Sequence, residues 1–389
     1  MFNTLNKRDY LTCAALGLVS LVVFSIFAKK DYQHFNYFVP LANSLIHFKL
    51  DVPNNYCLNE LVMFAGKYFV VFPPIPAILI TPAVFIWGIQ FNQVWASVFY
   101  GALGVFFFSL VSRKLFSQKV SIFLTLLFAF GTNFLYITAI GAGWYFAQVT
   151  GIMLMAIAVL FAMNDRPALS GLFIGLACLC RLPLILGFAV LLYLLLRNKT
   201  KEDFLRISLN FFIPLGLCVF VFGLYCFLRF GSFFQTGYSL IPGVLDLPGN
   251  RNGIMNLSYI PRSLWQYLFL LPKFSSHPPY IYPTEMGLAV WITTPALLGL
   301  FFLKSKDKLA IVFLLQALLI ALAELSHGEN GWCQFGMRFS LDFMIFMLLA
   351  LGFVFQRVKT KYVVPVIILC ILINIWGITL WHLGLSTPK

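Results

Sequence analysis

Charge is what this sequence has least of. Only 10% of its 389 residues are Asp, Glu, Lys or Arg, against 61% hydrophobic ones, and the mean hydropathy is +0.90. A soluble domain carries roughly 25% charge, so a soluble enzyme with a single anchor is excluded and the bilayer is the solvent of this chain. Acid is scarcer still, with 13 acidic against 27 basic residues and a net charge of +14. In a soluble protein that excess would point to nucleic acid; here it must first be sorted by loop. Cysteine motifs are missing as well. The eight cysteines show no CxxC, no Cys/His spacing of a zinc site and no disulfide framework. Cys13, Cys178, Cys180, Cys218, Cys226 and Cys370 sit inside apolar runs as small hydrophobes. The first apolar run ends in Lys29 and Lys30 without a small-residue cleavage site, which reads as an uncleaved signal anchor.

Long apolar runs are what the sequence has instead. Nine are suited to spanning, near 10–28, 93–112, 120–140, 145–163, 207–228, 286–303, 309–325, 339–356 and 362–383. Residues 167–196 are long enough for two short helices interrupted by Arg181, Leu182 and Pro183, a hairpin with Arg181 at its tip. The stretch 68–89 is apolar, but Pro73, Pro74, Pro76 and Pro82 would leave carbonyls unpaired in lipid. Basic residues decide its path. If 68–89 dips in and returns, sixteen of the 27 basic residues fall in the cytoplasm with the N-terminus; if it crosses, only nine do. The expectation is an all-α polytopic membrane protein of about eleven transmembrane helices, forming one integral membrane domain over 1–389. Its N-terminus is cytoplasmic and its C-terminus outside, in a bacterial inner membrane. A large first outside loop, 29–92, carries interfacial helices and the re-entrant segment; a second large outside loop covers 229–285 and a shorter one 326–338.

Sorting the acids by side separates two groups. Asp9, Asp165, Glu202, Asp203 and Asp307 lie among lysines in short cytoplasmic loops as solvated partners. Asp31, Asp51, Glu60, Asp246, Glu285, Glu324, Glu329 and Asp342 face outside or lie near outer helix ends, where Arg181, Arg229, Arg251, Arg262 and Arg338 also gather. Ionisable groups near hydrocarbon are costly and mark a working face. Asp31 directly follows the first span, and Phe35, Phe38, Val39, Ala42, Leu45 and Ile46 then repeat at helical spacing as an interfacial amphipathic helix, which Pro40 either kinks or restarts. A carboxylate fixed there can serve as general base toward a hydroxyl beside a lipid-borne donor. It can equally pair with Lys29 or Lys30. Arg181, Arg338 and Lys67 suit a lipid phosphate, with snorkelling to headgroups as the alternative. His277, His327 and His382 read as loop or belt residues; no metal ligand set is assigned, and a divalent ion is left open. Cys57 and Cys333 are the two cysteines in outside segments, and could pair if their Cα atoms come within about 7 Å.

These outside segments resemble the GT-C class of membrane glycosyltransferases, which includes the dolichyl-phosphate-mannose protein mannosyltransferases and the aminoarabinose transferases. The resemblance runs over roughly 31–350. It rests on Asp31-Tyr32 after the first span, YFVVFPPIPAILITP from Tyr68, GLACLCRLP ending at Pro183, LRFGSFFQTGY from Leu228 and FGMRFSLDF from Phe335. It implies that Asp31 deprotonates the acceptor, and that nearby basic residues, Arg338, Arg181 and Lys67, hold a polyprenyl phosphate. Glu60, Tyr32, Asp342 and Arg262 then fall on the substrate side. Tyr32 stands where the family commonly has a second acid, so that acid would come from Glu60, Asp51 or Asp342. The activity implied is inverting transfer of a hexosyl or pentosyl group from a polyprenyl-phosphate sugar to a lipid, glycan or protein hydroxyl, without a nucleotide cofactor or nucleic acid. A transporter or lipid flippase would instead line the midplane with polar residues, of which Gln148, Thr150 and Glu324 are the main ones. A structural or assembly subunit is the third reading.

Overall fold

The computed structural model describes residues 2–29, 35–54, 58, 60–331 and 334–384; Asp31, Tyr32, Cys57 and Cys333 lie outside them. Among these residues seven helices are long and apolar enough to cross a bilayer, or eight if one bent pair is a single span. They are α1 (Lys7–Ile26), then, after the short α2 (Phe38–Ile46) and α3 (Ile75–Trp87), α4 (Gln93–Leu115) and the bent pair α5 (Gln118–Phe130) and α6 (Phe134–Ile140). α7 (Gly143–Met163), the short α8 (Pro167–Cys178) and α9 (Phe188–Leu196), and α10 (Lys201–Phe230) follow. Two short elements, α11 (Ile260–Phe269) and α12 (Val290–Thr293), precede α13 (Lys308–Leu325), α14 (Leu341–Phe355) and α15 (Thr360–His382). The chain is an integral membrane protein. α7 and the span ending in α14 are each 89% buried, whereas α1 and α10 are 28% and 33% buried, so the first two form the centre and the others meet lipid.

The count of long helices falls short of eleven at two places, and each has a local cause. In 167–196 the chain climbs along α7 and returns: Ser170 donates to the Ala158 carbonyl at 3.0 Å, Thr150 lies 3.5 Å from Cys180 Sγ, and Lys199 pairs with Asp165 at 2.9 Å. The hairpin of the two short helices therefore starts and ends at the Asp165 face, with Arg181 at the tip. Gln316 on α13 holds the return by accepting from the Val190 N–H and donating to the Leu186 carbonyl. In 286–303 Thr294 precedes Pro295 and is forced to φ −137°, ψ 72°, so α12 stops and a 3-10 turn, Pro295–Phe302, takes over. At about 2.0 Å rise per residue, this covers more depth than an α-helix of equal length.

The two ends of the segment that holds the proline-rich stretch lie close together. The Lys29 N–H donates to the Ala139 carbonyl at 2.8 Å and Gln93 Nε2 to the Gly141 carbonyl at 2.7 Å, so the chain leaves α1 and enters α4 beside the same end of α6. Between them, β1 (Leu61–Phe64) and β2 (Lys67–Val70) form an antiparallel hairpin with Leu61 opposite Val70. Buried Arg229 at the end of α10 donates to the Val70 carbonyl at 2.7 Å and anchors that hairpin. The expected interfacial helix is α2, but Phe38, Val39, Pro40, Leu41, Ala42 and Ser44 are all buried. It is wedged into the protein and does not lie on it. Pro40 falls in its first turn, where no N–H is needed, so it neither kinks nor restarts the helix. Later in the chain, β3 (Lys273–Phe274) and β4 (Ile281–Tyr282) make a second small hairpin in the 229–285 region.

Candidate functional site

Where α7, the α8–α9 tip and the start of α14 meet, charged side chains are packed together. Arg181 Nε lies 2.5 Å from Asp342 Oδ2, and its Nη2 lies 3.0 Å from Glu324 Oε1. Gln148 donates to Asp342 Oδ1 at 2.6 Å and to the Arg338 carbonyl at 2.8 Å. The guanidinium also stacks on the Phe339 ring at 4.8 Å. Every charge in this cluster has a partner, as buried ions require.

Arg338 is placed differently. It is 8% exposed, and its Nε and Nη1 have no hydrogen-bond partner. Its charge is faced by rings: Phe339 at 4.6 Å, Tyr145 at 5.3 Å and Trp144 at 5.4 Å. Gly331 lets the 326–337 loop approach it, because a Cβ there would sit 2.9 Å from Arg338 Nε and the residue has φ +95°. Buried donors left unmade cost about 1–3 kcal/mol each, more for charged groups.

Two further titratable residues lie near this wall, Glu60 facing the Arg338 charge and Tyr37 facing Glu60. The Glu60 Oε2 is buried without a partner, and the Tyr37 hydroxyl faces that carboxyl without closing a hydrogen bond. Burial pushes the Glu60 carboxyl up to about 7, against the pull of Arg338 and Tyr37. The Tyr37 ring lies 6.2 Å from Trp144, which links it to the arginine wall. His327, beside the end of α13, packs on Phe339 at 5.6 Å and accepts from the Glu329 N–H. Burial pulls its imidazole down to about 4, with the Arg181 and Arg338 charges adding, so it is neutral.

Of the residues singled out in the sequence, the structure thus brings together Arg181, Arg338, Glu60, Asp342 and Glu324. Their states differ from expectation. Arg181 is not open to a phosphate, since two carboxylates occupy its fork, and Asp342 is committed to Arg181 and Gln148. Lys67 stands opposite Phe64 at the hairpin turn, mostly exposed, 3.6 Å from Asp51. Arg262 on α11 donates to the Gly328 carbonyl and ties that helix to the 326–337 loop, with Asn330 donating to Gln266 at 2.7 Å alongside. Asp31 and Tyr32, and the Cys57–Cys333 pairing, fall outside the described residues. His327, Tyr37 and Trp144 were not expected in the site; a lone histidine beside glycine and aromatics among other aromatics give no spacing signal. Among the described residues, no three His, Cys, Asp or Glu side chains gather as a metal set.

Gln148 and Glu324, which a transporter would use along a midplane path, close instead onto Arg181 and Asp342. On the far face, an open depression of about 700 Å³ is lined by Arg113, Lys119 and Gln356 among others. Its Arg113 is already bound to Asp9 at 2.7 Å and to the Phe116 carbonyl. That face collects Lys114, Lys199, Arg206 and Arg357.

No protein-family profile matches the sequence, and no curated protein matches it. The fold does match solved structures. The Archaeoglobus fulgidus oligosaccharyltransferase in its apo form aligns with a TM-score of 0.52 at 14% identity, over 99% of this chain and 57% of that one. The Saccharomyces cerevisiae protein O-mannosyltransferase complex bound to the sugar donor aligns with a TM-score of 0.41 at 13% identity, over 67% of this chain and 37% of that one. The chain thus spans little more than half the length of the first, and it shares the GT-C fold.

Proposed function

We propose that this GT-C-fold protein is an inverting glycosyltransferase that uses a polyprenyl-phosphate-linked sugar on the outer face of a bacterial inner membrane. The observation that carries the reading is Arg338, a buried guanidinium with two unspent N–H donors in an aromatic wall. A single lipid phosphate satisfies it, because guanidinium N–H groups bind phosphate oxygens in charge-assisted pairs. The face follows from the basic loops, which favour the cytoplasm and put the site opposite.

In this reading Asp31, just after α1, takes the proton of an acceptor hydroxyl on a lipid, glycan or protein as its oxygen attacks the anomeric carbon. The bond from that carbon to the phosphate oxygen breaks, and Arg338 holds the charge that collects on the leaving lipid phosphate. Attack from the side opposite the phosphate inverts the anomeric centre. Trp144 and Tyr145 supply flat apolar surface for a sugar ring beside the phosphate, and Glu60 borders it.

The test is Asp31→Asn in membranes supplied with radiolabelled polyprenyl-phosphate sugar. The near-isosteric change should leave expression intact and lower transfer by about 10²- to 10⁴-fold, the usual contribution of a general base. Transfer at the parental rate would remove Asp31 from the chemistry. Absence of any transfer by the parent protein, with several such donors, would sink the reading as a whole.

A further inference from the structure

Glu60 has no role in the reaction just described, yet its Oε2 is buried without a partner among the described residues, within reach of the Arg338 charge. We propose that Glu60 and Arg338 form a single proton-linked subsite, which accepts a phosphodiester only when the Glu60 carboxyl is protonated. The inference rests on the lipid-phosphate reading above and adds to it a rule for occupancy.

The geometry has three parts. Arg338 offers two donors and one positive charge; Glu60 Oε2 is buried with no partner among the described residues; and the Trp144 ring lies 6.2 Å from that of Tyr37 and 5.4 Å from the guanidinium. Among the described residues, the titratable groups facing Glu60 are Tyr37 before α2, Tyr238 after α10 and Arg338 before α14. Burial holds both tyrosines protonated, so neither supplies charge near neutral pH. Among the described residues, one cation thus faces Glu60. In the empty protein Glu60 is its counter-ion; when a phosphodiester brings its own negative charge, two buried anions would share one guanidinium. Like charges in such a site cannot both stay ionised. The diester keeps its charge over the ordinary pH range, so Glu60 is the group that takes the proton, and as a neutral acid it can donate to a phosphate oxygen or a sugar hydroxyl.

The sign follows from linkage. With its carboxyl at about 7 in the empty protein, Glu60 is largely protonated below that pH and binding moves no proton there. Above it each binding event takes up to one proton from solvent, so affinity falls as pH rises, by up to tenfold per unit. A phosphate monoester would blur this because it titrates near 6; a diester does not.

Calorimetry of the full chain in phosphatidylcholine nanodiscs with farnesyl methyl phosphate tests the proposal without needing the acceptor or the sugar. The dissociation constant should be flat from pH 6 to about 7 and then rise toward tenfold per unit. Binding heats should depend on the ionisation heat of the buffer by an amount that reports proton uptake. Glu60→Gln should bind with no slope, and Glu60→Asp, which still titrates, should keep one. Dimethyl phosphate identifies the source: the same slope at weaker affinity means that any phosphodiester fills the subsite, and a slope seen only with the farnesyl ester confines it to a lipid. A pH-independent constant with the parent protein, or a slope surviving in Glu60→Gln, overturns the proposal while leaving the donor reading in place. If Glu60→Gln does not fold, the buffer dependence of the parent protein decides. Failure to bind the farnesyl ester at any pH removes both.

Discussion

The tip of the α8–α9 hairpin and the rim at residues 331–338 each bury an arginine and use it in opposite ways. Arg181 is gripped by Asp342 and Glu324 from two different helices, and Gln148 fills what remains of Asp342. Arg338, in contact with the same Phe339 ring, keeps two N–H donors unspent. A buried charge with all its partners supplied from within has been used to fix helices against each other. In the proposed reading, the one with partners withheld is kept for something that arrives. The comparison teaches that burial and charge, which both arginines share, do not separate the two; the hydrogen bonds left unmade do.

The comparison breaks most severely at Arg181. Arg181→Ala leaves two buried carboxylates without their cation, and uncompensated buried charges of this kind cost about 3–5 kcal/mol. Thermal unfolding in detergent should show a marked loss of stability, with reduced yield in membranes. Arg181→Lys should recover only part of it, because an ammonium cannot answer two carboxylates through a planar fork. Normal stability together with weakened donor binding would reverse the assignment and make Arg181 the phosphate ligand.

Arg338→Ala should show the opposite pattern. Its guanidinium makes few bonds within the protein, so the melting temperature should change little. Hydrogen bonds to charged groups contribute about 1.5–3 kcal/mol, which corresponds to roughly 10- to 100-fold in donor KM. The turnover number should fall less than kcat/KM if the lost contact is made equally in ground and transition states. Unfolding of this variant, or an unchanged KM, would show that the open donors are not the donor's receptor.

Much of this architecture was legible in the sequence because it rests on local signals. Apolar runs located the long helices, and Pro183 after Arg181 located the hairpin tip. The partners of Arg181 were not legible, since Asp342 and Glu324 lie 161 and 143 residues away. Nor was the distinction between the two arginines, because an unmade hydrogen bond leaves no pattern along a chain. The 286–303 run looked like a span by composition, and only the conformation that Pro295 imposes on Thr294 makes it a broken one. α2 was read correctly as a helix after the first span, yet its burial depends on α3, which follows it by some thirty residues.

The smallest effect is expected at Lys67, and it sharpens the same contrast from the surface. Composition and position made it a phosphate candidate alongside the two arginines. Its side chain is 63% exposed and lies 3.6 Å from Asp51, at the turn end of the β1–β2 hairpin. Glu60 enters at the other end, about 13 Å away at 3.3 Å per strand residue. An exposed pair of this kind contributes about 0–1 kcal/mol and is weakened further by salt. Lys67→Ala should therefore shift stability by less than about 1 kcal/mol and leave donor KM within about twofold, in low and high salt alike. A tenfold rise in KM at low salt that disappears at high salt would instead mean that Lys67 attracts the donor through its field. The count of one cation among the described residues, on which both the phosphate assignment and the Glu60 proton rule depend, would then have to become two.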